Sequence, residues 1–136
     1  MRLTLPLLFA LAVPVRAGPS PAAAEEARRI AFSLEIAAAE YGKAVSGQVI
    51  DRVEQQEAVE FLAQARTRFR RLAAAEGLDD FNREPIEAVL AALESEGRSA
   101  KGDPGAFRAK AARAGADVAS AFGASSRLVP PRRPSA

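Results

Sequence analysis

The chain has 136 residues, room for one small domain, and carries 19 basic and 17 acidic residues with no histidine, cysteine or tryptophan. Those absences exclude disulfides, Ser-His and Cys-His nucleophile pairs, haem attachment through Cys-x-x-Cys-His, and imidazole or thiolate metal ligands. Carboxylates alone remain as strong metal ligands.

Residues 1–17 read as an export signal. Met1 and Arg2 give a positive start, and Leu5, Leu7, Leu8, Phe9 and Leu11 lie in a short apolar run. Val15-Arg16-Ala17 then supplies a cleavage site near Ala17. The run is about half the ~20 residues a spanning helix needs, and Pro6 and Pro14 interrupt it. A periplasmic location and no membrane anchor after cleavage are the expectation. Removing Arg2 and Arg16 leaves 17 basic and 17 acidic residues. Three of the remaining cations, Arg127, Arg132 and Arg133, sit in the last residues, so the central region is net acidic. That argues against nucleic acid, which needs a clustered basic face.

A first helix is expected over residues 22–45. Ala27, Ile30, Leu34, Ala37, Tyr41 and Ala44 recur at spacings of three and four, a heptad-like seam that leaves self-association open, and Phe32 and Ile36 widen its buried face. Ser46 and Gly47 end it, glycine supplying a left-handed closing residue. Asp51 caps a second helix over 52–76, with Glu54 three residues on. Its stripe is Val53, Ala58, Phe61, Leu62, Ala65, Phe69 and Leu72, and Gly77 stops it.

The stretch "GLDDFNRE" reads as a loop. A third helix opens near Pro85, carries Ile86, Val89, Leu90 and Leu93 inward, and ends at Gly97. Asp103-Pro104 starts a fourth helix, with Phe107, Ala111, Ala114, Val118, Ala121 and Phe122 inward. The expected architecture is all-α: a signal peptide over 1–17, an up-down four-helix bundle over 18–122 and a flexible Pro/Arg tail over 123–136.

Several groups could carry chemistry. Glu54, Glu57 and Glu60 recur every third residue, with Glu35 and Glu40 on the preceding helix. Facing helices that present carboxylates can hold iron or another divalent cation. Capping and the helix dipole explain the same charges as a solvated acidic face. "REPIE" over 83–87 fits Arg-Glu-x-x-Glu, but opens a short helix with no apolar span around it. The basic "RTRFRR" over 66–71 reads as Phe69 in the core with arginines around it. Tyr41, the only tyrosine, reads as a core residue whose hydroxyl reaches the bundle edge.

Residues 34–62, "LEIAAAEYGKAVSGQVIDRVEQQEAVEFL", resemble the exported helical region at the front of some bacterial iron permeases and their cytochrome c fusions. The resemblance rests on Glu40, Tyr41, Ala44-Val45, Gly47, Val49-Ile50-Asp51, Glu57 and Glu60-Phe61, with "SAFG" and a Pro-rich "RLVPPRRP" towards the end. It implies a stand-alone accessory module of iron uptake that is not an enzyme. Its partner would be a membrane permease or a periplasmic cytochrome, met through Tyr41, Lys43, Gln48, Glu57 and Glu60. The alternatives are weak cation binding by Glu35, Glu40, Glu54, Glu57 and Glu60, with no other cofactor, and a structural envelope protein unrelated to iron.

Overall fold

The computed structural model describes residues 19–124; the expected signal peptide and all but the start of the expected tail lie outside them. Four helices follow one another: α1 (Pro21–Val45), α2 (Arg52–Glu76), α3 (Asp80–Ser99) and α4 (Pro104–Ala121). Each is antiparallel to the next, and α4 returns to pack on α1, so every helix has two neighbours. The α1–α2 and α1–α4 interfaces are the largest, and α3–α4 is the smallest of the four.

The helix ends follow from local chemistry. Ser20 Oγ accepts from the Ala23 N–H at 3.1 Å, and Pro21 occupies the first turn, where a missing N–H costs nothing. Asp51 Oδ1 accepts from Val53 and Glu54 at 3.0 and 3.2 Å. Gly77 closes α2 in the left-handed region, at φ 64°. Asp103 Oδ2 accepts from Ala106 at 2.8 Å, with Pro104 in the first turn of α4. Past α4, Gly123 (φ 68°) turns the chain so that Ala124 N–H reaches Ala119 O at 2.8 Å and Ala124 is buried.

Four expectations are corrected. Helix α3 begins at Asp80, because Asp79 Oδ1 accepts from the Asn82 N–H at 2.9 Å; Pro85 lies inside the helix. It removes one bond, to the carbonyl of Phe81, close to a helix end where Phe81 is exposed and water can substitute. Gly97 does not end α3, which runs on to Ser99 and closes on Ala100, a non-glycine residue at φ 50°. Gly97 is buried instead, and a Cβ there would stand 2.9 Å from Leu62 Cδ1, so glycine lets α3 approach α2. Gly47 is not left-handed; α1 stops with the Asp51 N–H turned back to Ala44 O at 2.9 Å. Finally, Phe32, Val53 and Val89 are not core residues, being 62%, 67% and 37% exposed.

All six seam residues of α1 are buried, with Leu62, Phe69, Leu90, Leu93, Phe107, Val118 and Phe122 across from them. An aromatic pair sits towards each end of the core. Tyr41 stacks on Phe107 with centroids 4.1 Å apart, and Phe69 meets Phe122 edge-on at 6.3 Å. Between them α1 and α4 meet through alanine and glycine; a Cβ on Gly115 would lie 3.2 Å from Ala31 Cβ. Alanine buries little apolar area, so these two helices rely on close approach.

Two glycines in helices should therefore respond oppositely to alanine. A Cβ on Gly42 would have nothing within 4 Å, and Gly42→Ala should stabilise by about 0.5–1 kcal/mol. Gly97→Ala should destabilise by about 1–3 kcal/mol less that propensity gain, because Leu62 is buried and cannot move freely. Urea denaturation measures both; a stabilised Gly97→Ala would contradict the packing described.

Candidate functional site

The α1–α2 turn, the start of α2, the end of α3 and the start of α4 all lie at one end of the bundle. Tyr41 organises it. Its ring is wholly buried and its hydroxyl donates to the Gly102 carbonyl at 2.6 Å, which holds the α3–α4 turn against α1. Burial pushes the hydroxyl's pKa up, so it stays a donor. Gln55 plays the matching part on α2. It is buried, and its amide nitrogen donates to the carbonyls of Gly97 (3.2 Å) and Arg98 (2.8 Å), satisfying the C-terminus of α3. Arg52 in turn donates to Gln55 Oε1 at 2.7 Å.

Successive helix residues point about 100° apart. With Tyr41 and Gln55 turned towards α4 and α3, the residues before them, Glu40 and Glu54, fall on the α1–α2 seam. Glu57, one turn on from Glu54, joins them. One carboxylate oxygen from each of Glu40, Glu54 and Glu57 lies within 4.8 Å of the other two, the only such acidic group among the described residues. Glu40 and Glu54 are half-buried and Glu57 is exposed. Lys43 Nζ donates to Glu40 at 3.1 Å from the same helix.

This four-helix architecture coincides with one family. Residues 20–125 match the family described as the iron permease-associated 4-helix bundle domain. The chain belongs to that family. No curated protein and no solved structure matches it. No helix among the described residues is long and apolar enough to cross a membrane.

Within this iron permease-associated bundle, the carboxylate cluster is electrostatically uneven. Glu40 is held below the ordinary glutamate range, first by its hydrogen bond with the Glu54 carboxyl and then by the Lys43 ammonium. Glu54 is pushed up, first by that same shared bond and then by burial and the neighbouring Glu40 charge. Lys43 is raised by Glu40. Glu54 Oε2 is shut off from water with no donor in reach, which accords with the upward push on its carboxyl. Three carboxylate oxygens beside a single ammonium suit a hard cation, which would displace the ammonium and any proton bound there.

The other expected residues are spread around this corner. Glu35 lies on the outer face of α1, about 140° round the helix from Glu40. Glu60 is exposed and accepts from Gln56 Nε2 at 3.3 Å, outside the cluster. Gln48 is exposed in the turn. Tyr41 is buried and presents nothing to a partner directly; its part is to position the turn. The other two motifs are used within the fold. Arg66 pairs with Glu94 at 3.2 Å and Arg68 with Glu26 at 2.8 Å, while Arg70 pairs with Glu87. In "REPIE", Arg83 bonds Glu87 (3.3 Å) and Asp80 (2.7 Å), an arrangement of surface ion pairs. Sequence reasoning missed Gln55 altogether and placed Val53 in the core. Gln55 falls on the inward side of α2 by spacing alone, and that is the signal that could have found it.

The pair has a pH signature. Glu54 has a raised folded pKa, so its stabilising contribution is full below the ordinary glutamate range and is lost as pH rises through its folded value. Glu40 has a lowered one, so its contribution is present above the ordinary range and is lost as pH falls through its folded value. Glu54→Gln keeps a donor for Glu40 and removes the repulsion. It should raise the melting temperature at pH 7, and the gain should shrink towards pH 4, where wild-type Glu54 is protonated. An equal change at both pH values in thermal scans would contradict the raised pKa of Glu54.

Proposed function

We propose that this chain is a non-enzymatic accessory module of iron uptake. It works in the periplasm beside a membrane permease or its cytochrome partner and presents the α1–α2 corner to it. The observation that carries the reading is the family match over residues 20–125, nearly the whole described chain. The leading residues 1–17, which read as an export signal, support the location. The absence of histidine and cysteine from the whole sequence supports a role in binding rather than catalysis. Lys43, Gln48, Glu57 and Glu60 are exposed at the corner and available for contact.

Capture from detergent-solubilised membranes tests this. The bundle should retain the permease or its cytochrome partner, and Glu57→Lys with Glu60→Lys should weaken capture roughly tenfold while the helical content is unchanged. Equal capture by wild type and variant would remove the corner as the contact face.

A second reading, that the corner takes up the cation itself, is favoured by the three clustered carboxylate oxygens and the partnerless Glu54 Oε2. Under it, iron is the cargo, held by Glu40, Glu54 and Glu57 with water completing the shell. Calorimetric titration with ferrous, ferric and cupric ions should then show heat and a raised melting temperature, both lost in Glu40→Gln/Glu54→Gln. No heat and no shift in the wild type would eliminate it.

A further inference from the structure

Val49 and Val53 are 83% and 67% exposed, four residues apart, at the corner where the carboxylates gather. Val53, Glu57 and Glu60 recur at i, i+4 and i+7, so an aliphatic side chain and two exposed carboxylates share one outward stripe of α2. Lys43 is paired with Glu40 at 3.1 Å, and Arg52, which keeps its charge while donating to the neutral Gln55 at 2.7 Å, is outnumbered by Asp51, Glu54, Glu57 and Glu60. The outward charge is thus acidic, and valines sit within it. The ends of the described chain do not cover this corner. They meet at the opposite end of the bundle, where a Cβ on Gly123 would lie 3.2 Å from Pro19 Cγ and Ser20 Oγ reaches Glu76 at 3.3 Å.

We infer that this stripe receives a basic peptide segment of the partner protein, one carrying aliphatic residues next to its arginines or lysines. Aliphatic groups bury the two valines, and the cations meet Glu57 and Glu60. A bare metal ion would leave the valines exposed. Nucleic acid and anionic lipid would be repelled by the carboxylates. Charge complementarity of this kind sets encounter rate and register, while the buried aliphatic contact slows dissociation. The inference rests on the reading of the corner as a docking face and adds the chemistry of what docks there.

The test uses the full chain and a fluorescein-labelled peptide of three arginines and two valines, followed by anisotropy. A control peptide has serines in place of the valines. Binding should weaken roughly tenfold on raising salt from about 50 to 500 mM, and roughly tenfold in Glu57→Lys/Glu60→Lys. Val49→Ser/Val53→Ser should weaken it by about threefold or more, with an unchanged melting temperature, and so should the serine peptide. No binding, or equal binding by the valine variants and the serine peptide, overturns the inference. If the peptide fails while charge reversal still abolishes capture of the membrane partner, the docking face stands and the assigned segment chemistry falls; if both fail, both fall.

Discussion

The hydroxyl of Tyr41 fixes the end of this bundle where the α1–α2 and α3–α4 turns meet. A tyrosine buried to completion needs a partner for its one polar atom, and here the partner is the Gly102 carbonyl at 2.6 Å. That bond, with the stack on Phe107, ties α1 to both α4 and the turn that precedes it. Gln55 makes the equivalent tie from α2 to the end of α3. The carboxylates are a consequence. At this end α1 and α2 each turn a hydrogen-bonding side chain inward, Tyr41 and Gln55, and the residue just before it is turned onto the α1–α2 seam. Glu40 and Glu54 are brought face to face by the two core anchors that follow them.

The arrangement is locally unfavourable, and therefore informative. Two carboxyl groups that share a seam repel unless a proton, an ammonium or a metal lies between them. In this protein the Lys43 ammonium lies beside Glu40, and the Glu54 carboxyl is pushed towards its protonated form. Elsewhere opposite charges meet across the helix interfaces: Arg66 with Glu94, Arg68 with Glu26, Arg70 with Glu87. Conflicts between local preference and global fold concentrate at functional sites. The acidic corner is where three like charges are gathered instead.

Much of the bundle was legible in the order of residues. The seam of α1 was readable because Ala27, Ile30, Leu34, Ala37, Tyr41 and Ala44 follow one helical face, and α2 was bounded by an aspartate cap and a left-handed glycine. The start of α3 was obscured because Pro85 imitates a first-turn proline while the true cap, Asp79, stands in a run of polar residues. Gly97 was misread because glycine serves two ends, closing helices and allowing close approach, and only the distance to Leu62 separates them. At the site, the spacing of Glu54, Glu57 and Glu60 was visible. Which of them meets α1, and that Glu40 rather than Glu35 answers from it, depends on the azimuth at which two helices pack. Single-sequence periodicity does not carry that angle. The exposure of Val53 was hidden for the same reason.

The proposed role, presentation of the α1–α2 corner to a membrane partner, is tested most directly by hydrogen exchange of the whole chain with and without permease-containing membranes. Slowed exchange confined to the segment around residues 43–60 is the expected result. Protection centred on the end where Pro19 meets Gly123, or none at all, would contradict it.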